Sequence, residues 1–338
     1  MKASDSFDYV RKIASKTEPK FRYNVEENFD ECQKKGKDKL AELLGLPFEK
    51  CDDNFEIEYK KDCNDYSEIR FTFTSEEDYV VPCHILMPKA SQELLVPVIC
   101  LQGHSTGMHI SLGKPKYEND SEMIGSGDRD FAVRTVKAGC AAIVMEQRYM
   151  GECGGSEKGP GCLSEATAMN SLLYGRTAIG ERVWDVMRLI DVMEKYFDCF
   201  DMSKLICLGN SGGGTTTFYA ACLDERISCA VPSCAVCAYK DSIGAMFHCC
   251  CNYVPHIAKY FDMGDLGGLI VPRGLIVVNG ENDPIFPKCG VNETVEIIKN
   301  FYTLQNCEEN FEHLTGNGGH RFYADIAWDA IRKIVKIG

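Results

Sequence analysis

The sequence predicts an α/β fold: a mostly parallel central sheet with helices on both faces, preceded by an N-terminal helical extension over residues 1–50. Three observations carry this expectation. Short uninterrupted apolar runs such as VPVICLQ (96–102), CAAIVMEQ (140–147) and RGLIVVNG (273–280) read as strands covered on both faces. Longer segments with apolar residues at helical spacing separate them, and that alternation is the pattern of a parallel sheet. Nothing resembling a linker, an internal repeat or a low-complexity tract interrupts residues 51–338, so they are expected to form one unit around one sheet.

Taken in order, residues 20–45 place Phe29, Cys32, Leu40, Leu43 and Leu44 on one helical face, closed by Gly45 and Pro47. FEIEYKK (55–61), SEIRFTFTS (67–75) and YVVPCHILMPK (79–89) then read as strands joined by turns, an antiparallel start to the sheet. VPVICLQ opens the parallel part and is followed, after a long polar loop, by the helical DFAVRTVKAG (130–139) and the strand CAAIVMEQ. Ile179, Val183, Met187, Ile190 and Met193 mark one face of a long helix. The strand KLICLGN (204–210), the helix TTTFYAACLDE (215–225) and the strand ISCAVPSCA (227–235) come next. RGLIVVNG, a helix around VNETVEIIKNFYTL (291–304), a short strand at NFEHLT (310–315) and an amphipathic helix from Ala324 to Ile337 complete the alternation.

Composition excludes several classes. Hydrophobic residues make up 45% and charged residues 26% of the 338, the balance of a folded soluble chain. The formal net charge is −13, with no basic cluster, and such a surface repels phosphate backbones and anionic headgroups. Neither nucleic acid nor a membrane is an expected partner. MKASDSFDYVRK offers no apolar run to a signal peptide, so a cytoplasmic location is expected. The 19 cysteines fall mostly inside apolar runs, as at Cys100, Cys140, Cys207, Cys222 and Cys229, where a thiol acts as a small hydrophobe.

The stretch LGNSGGGTTT (208–217) carries the chemistry. Gly209-Asn210-Ser211-Gly212-Gly213 fits G-x-S-x-G, a weak pattern alone but a stronger one here, because a buried strand ends at Gly209 and a helix follows Ser211. A turn that sharp strains the serine backbone and leaves room only for glycine two residues to either side. It also places the Gly212 N–H at a helix start, where it can stabilise an oxyanion. A serine hydroxyl needs a base. Of seven histidines, His320 in TGNGGHRF follows the last strand, at the sheet end where such folds place their sites. The carboxylate that would orient it is Asp283, on the turn after RGLIVVNG stiffened by Pro284 and Pro287, with Glu281 as the competitor. The order Ser, Asp, His is that of an α/β-hydrolase.

At these residues the chain resembles the α/β-hydrolase superfamily, and within it the acetyl xylan esterase-like and dienelactone hydrolase-like esterases. The resemblance rests on CLQGHSTG (100–107), MEQRYMGECGG (145–155), LLYGRTAIGERVWDVMRLIDVM (172–193), LGNSGGG (208–214), HCCCNYVPHI (248–257), PRGLIVVNGENDPIFP (272–287) and GGHRFY (318–323), and spans most of residues 50–338. It implies that the backbone N–H of His104 is the second oxyanion donor beside Gly212. Gln102 departs from the family's His-Gly-x at that loop and leaves open whether a side chain supports it. The resemblance implies a serine esterase for short acyl groups, acetyl on a sugar in particular, with a small-molecule ester as partner and no cofactor. Peptidase, lactonase and thioesterase activities use the same triad, and a catalytically silent binding protein of this fold stands as a different class.

Other signals have plainer readings. Arg148 and Glu146, in MEQRYMGE, are expected to brace neighbouring loops. Cys234, Cys237, the HCCC run from His248 and His256 make a zinc site conceivable, but a triad needs no metal, and none is expected. The His248–His256 segment is expected to cover the acyl site. Residues 105–129 form a loop too long for a plain connection and are expected to make one rim of a pocket, with residues 151–170 making another.

Overall fold

A computed structural model describes residues 3–22, 27–89, 94–154 and 165–337. Its sheet has nine strands: β1 (Glu56–Asp62), β2 (Tyr66–Glu76), β3 (Tyr79–Pro88), β4 (Pro97–Leu101), β5 (Ala141–Met145), β6 (Ile206–Asn210), β7 (Cys229–Ser233), β8 (Gly274–Gly280) and β9 (Phe311–Gly316). Their spatial order is β1-β2-β3-β5-β4-β6-β7-β8-β9. The first three strands pair antiparallel and β3 meets β5 antiparallel, whereas β5, β4 and β6 to β9 run parallel.

The helices are α1 (Ser6–Ala14), α2 (Phe29–Leu44), α3 (Asp120–Ser126), α4 (Phe131–Lys137), α5 (Glu165–Leu173), α6 (Ala178–Tyr196), α7 (Gly212–Leu223), α8 (Ile257–Tyr260), α9 (Met263–Gly267), α10 (Lys288–Leu304) and α11 (Ala324–Val335). Among the described residues no helix is long and apolar enough to cross a membrane.

Side chains alternate across each parallel strand, which explains why the strands read as continuous apolar runs. On β8, Leu275 and Val277 join one core layer with Val183, Leu189 and Ile190 of α6 and Phe218 of α7. Ile276 and Val278 join the opposite layer, with Phe131 of α4 and Ala327 and Ile331 of α11. The α2 helix ends as its sequence requires, with Gly45 in the left-handed conformation (φ 82°) accepting the chain reversal. Its Leu40 and Leu44 are fully buried in the first of these layers, so the N-terminal extension contributes to the main core.

The structure departs from the sequence reading at several elements, among them the short helix α3 inside the segment 105–129 read as a loop. The strand expected over 227–235 stops at Ser233, because Cys234 turns into positive φ (47°) and breaks the extended backbone. Helix α1 falls inside the expected helical extension, but it buries none of its residues and leaves Phe7, Val10 and Ile13 exposed, so it adds nothing to the core.

Candidate active site

The register of the sheet fixes where the candidate residues can go. Asn210 pairs with Ser233, Ser233 with Val278, and Gly280 with Gly316, so β6, β7, β8 and β9 end along one edge. Ser211, Cys234, Asp283 and His320 all leave the sheet there, each one to four residues beyond its strand. This is the carboxyl edge, where open parallel sheets bind ligands.

Ser211 connects β6 to α7 with φ 54° and ψ −123°, a conformation that costs an L residue energy and is held by its surroundings. Its N–H donates to the Ser233 carbonyl at 2.8 Å. A Cβ at Gly209 would overlap the Gly213 carbonyl, and one at Gly213 would overlap the carbonyl of Leu101. Both glycines are therefore required by backbone crossing backbone, as the motif predicted. The Gly212 N–H belongs to the first turn of α7, where no intrahelical acceptor exists.

Asp283 and His320 are in contact, with His320 Nδ1 2.8 Å from Asp283 Oδ2. The other carboxylate oxygen accepts the N–H of Ile285 at 2.8 Å and of Phe286 at 3.1 Å. Burial alone would raise this acid, but the His320 contact and the two amides outweigh it and hold the carboxyl below its usual range. The competing Glu281 instead pairs with Lys288 at 3.0 Å on the surface. Ser211 shares the sheet edge with this pair; among the described residues its hydroxyl makes no hydrogen bond to His320. Nucleophile–base bonds commonly close only around bound substrate.

Two residues of this edge were not foreseen. Cys234 is fully buried, donates to the Arg321 carbonyl at 3.2 Å and holds its sulfur within 4.8 Å of donor atoms of Asp283 and His320, so it packs the turn after β7 against that pair. Its left-handed backbone at a strand end is invisible in sequence. Phe286 stacks on His320 (5.8 Å between centroids, 13° between planes) and His248 packs edge-on to Phe286 at 5.6 Å. Burial and the neighbouring His104 and His320 push the His248 pKa down.

The loop after β4 closes the other side. A Cβ at Gly103 would lie 3.1 Å from Ser211 Cβ, and one at Gly212 would lie 2.8 Å from Cε1 of His104, so this loop rests directly on the serine turn. Gln102, the residue that departed from the family pattern, donates from Nε2 to Glu146 Oε1 at 2.7 Å while its own carbonyl accepts Gln147 Nε2 at 2.5 Å. Glu146 also accepts the Met108 N–H at 3.1 Å, and its burial raises its pKa to about 8. A side chain does support the loop, and Glu146 braces it. Arg148 braces as expected, bonded to Asp185 at 2.8 Å and to Glu76 at 2.6 Å.

His104 Nε2 lies 2.8 Å from Cys251 Sγ, which lies 3.3 Å from Cys249 Sγ. The donor atoms of these three residues fall within 4.8 Å of one another, as do those of Cys234, Asp283 and His320. The first trio has nitrogen and sulfur donors of the kind that suit a thiophilic ion, and members of both trios are already engaged in hydrogen bonds of their own. The grouping weighed from sequence is not assembled: Cys237 faces the Pro287 carbonyl, and neither it nor His256 belongs to either trio.

A cavity of about 430 Å³ opens beside His320, between Asn119–Arg129 and Gly319–Arg321. The long loop before α4 thus forms one rim. Residues 155–164, within the second expected rim, lie outside the described residues.

The sheet order, the serine turn and the paired acid and histidine define an α/β-hydrolase fold. Comparisons agree. Over 98% of its length the chain superposes on 90% of a Bacteroides fragilis NCTC 9343 protein provisionally identified as an acetyl xylan esterase, with TM-score 0.77 and 15% identity. Over 95% it superposes on 98% of a glucuronoyl esterase from Solibacter usitatus, with TM-score 0.69 and 13% identity. In sequence it is 24% identical over 262 residues, 75% of this chain and 83% of the relative, to the provisionally named hydrolase YtaP of Bacillus subtilis (strain 168). No protein-family model matches the chain.

Proposed function

We propose that this protein is a serine carboxylic-ester hydrolase acting on short-chain acyl esters, acetyl esters of carbohydrates among them. The observation that carries the reading is the Asp283–His320 contact at 2.8 Å, on the sheet edge where Ser211 occupies its strained turn. Ser211 attacks the ester carbonyl while His320 takes its proton through Nε2. Asp283 holds the ring and stabilises it once cationic. The N–H groups of Gly212 and His104 receive the oxyanion. His320 then protonates the departing alcohol, and water repeats the route on the acyl-enzyme. The carbohydrate esterases among the structural neighbours support the ester and the sugar, and the hydrolase name of the sequence relative supports the reaction class.

The test is covalent as well as kinetic. A fluorophosphonate should label the wild-type protein at Ser211, and Ser211→Ala should lose both the label and nearly all turnover of an activated acetyl ester. Turnover surviving in that variant would refute the assignment. Matched acetyl ester, peptide, lactone and thioester substrates then set the ester reading against the other reactions this triad performs.

A further inference from the structure

Arg129 stands two residues before α4 and lines the same 430 Å³ cavity as His320. Among the described residues its guanidinium makes no hydrogen bond and no ion pair, and its Nε is buried without an acceptor. The neighbouring acids are already spent. Asp130 pairs with Arg134 at 2.6 Å, and Asp128 pairs with Arg134 at 3.0 Å and with Arg321 at 2.7 Å. Glu122, which shares the cavity, is exposed and does not reach Arg129.

This is a costly arrangement for a cation. A guanidinium does not deprotonate in proteins, so a partly buried one must either stay uncompensated or receive its counter-charge from outside. Its planar fork matches a carboxylate with two parallel hydrogen bonds. The cavity is of a size that takes a small ligand. Its position beside His320 places any bound anion next to the proposed reaction centre.

We infer that Arg129 recognises a carboxylate on the ester substrate, so that the enzyme's preferred substrates are esters carrying a second, acidic group. This rests on the esterase reading for its kinetics, but the anion site itself does not. The contact is made outside the bond that breaks, so it should act on binding and leave the chemical step largely alone.

Two matched pairs test it: p-nitrophenyl hemisuccinate against its methyl ester for an acid on the acyl side, and 4-acetoxybenzoate against its methyl ester for an acid on the alcohol side. The free acid of one pair should be preferred. Arg129→Leu should lower kcat/KM for that acid by about ten- to hundredfold, chiefly through KM, and change its neutral partner by less than about twofold. Arg129→Lys should restore part of the preference. Equal losses for acid and neutral ester, or no charge preference in either pair, would overturn the inference. Calorimetry on Ser211→Ala protein judges the anion site without turnover: succinate or 4-hydroxybenzoate should bind, and the added Arg129→Leu change should abolish it. Absence of binding by both anions counts against the site, whereas binding in a protein that cleaves no ester would sustain it and overturn only the esterase reading.

Discussion

The imidazole of His320 meets the carboxylate of Asp283 edge to edge, Nδ1 to Oδ2 at 2.8 Å, and the Asp283 side chain has no exposed surface. Because that carboxyl is held in its ionised form, Nδ1 must carry the ring proton and Nε2 is left as the acceptor. Asp283→Asn keeps the shape but offers an amide able to turn its N–H toward Nδ1, which favours the wrong tautomer. We expect kcat to fall about 10³- to 10⁴-fold with little change in KM. Steady-state kinetics on an activated acetyl ester checks this, and a loss under tenfold would remove Asp283 from the proposed triad.

Neighbouring glycines should respond in opposite ways. At Gly213 a Cβ would overlap the Leu101 carbonyl, backbone against backbone, and nothing there can yield. Gly213→Ala should cost about 3 kcal/mol or more, or fail to fold. At Gly212 the Cβ would meet the His104 ring at 2.8 to 3.2 Å, and a side chain can swing aside. Gly212→Ala should therefore fold with a loss of about 1 kcal/mol. Its rate should still fall about 10²-fold, because displacing His104 disturbs the loop whose N–H is the proposed second oxyanion donor. Denaturation midpoints and kcat measured on both variants separate the two effects.

These contacts also show where sequence legibility ended. Every strand of the sheet was readable, because β4 to β8 are covered on both faces and leave continuous apolar runs, as in Leu275–Val278. The placement of Ser211, Asp283 and His320 just beyond their strands on one sheet edge was readable from one motif and from the order of strand ends. A bracing role for Glu146 was readable too, but its pairing with Gln102 was not, since that 2.7 Å contact spans 44 residues and has no local signature. Cys234 was hidden for a related reason: its thiol looks like the tail of an apolar strand, and only the φ of 47° turns it toward Asp283. Arg129 is informative through what fails to pair with it, which no linear pattern records.

The thiols should sort by burial. Cys100, Cys207, Cys222 and Cys229 lie inside the core, and burial pushes each thiol up to about 12, so almost no thiolate is present at neutral pH. Cys199 and Cys289 are exposed. Brief alkylation of native protein followed by peptide mapping should find label on Cys289 and Cys199 and none on the four core thiols until denaturant is added. Native labelling of Cys207 at the rate of Cys289 would contradict the packing of β6 against α7.

Glu146 offers a test in the pH dependence of stability. Burial raises its carboxyl from 4.5 in the unfolded chain to about 8, so the folded protein holds this proton more tightly. Below the unfolded value both states are protonated and the contribution to stability is whole. As pH rises past it the unfolded chain releases its proton first, and stability declines until the folded group also ionises near its own raised value. Glu146→Gln removes the titration while its amide oxygen can still accept from Gln102 and from the Met108 N–H. Relative to wild type, the variant should therefore gain stability between about pH 5 and about pH 9, read as the change in urea midpoint at the two values. Parallel curves for the two proteins would mean that Glu146 is already ionised in the folded state, with the loop after β4 resting on a buried carboxylate instead of a neutral acid.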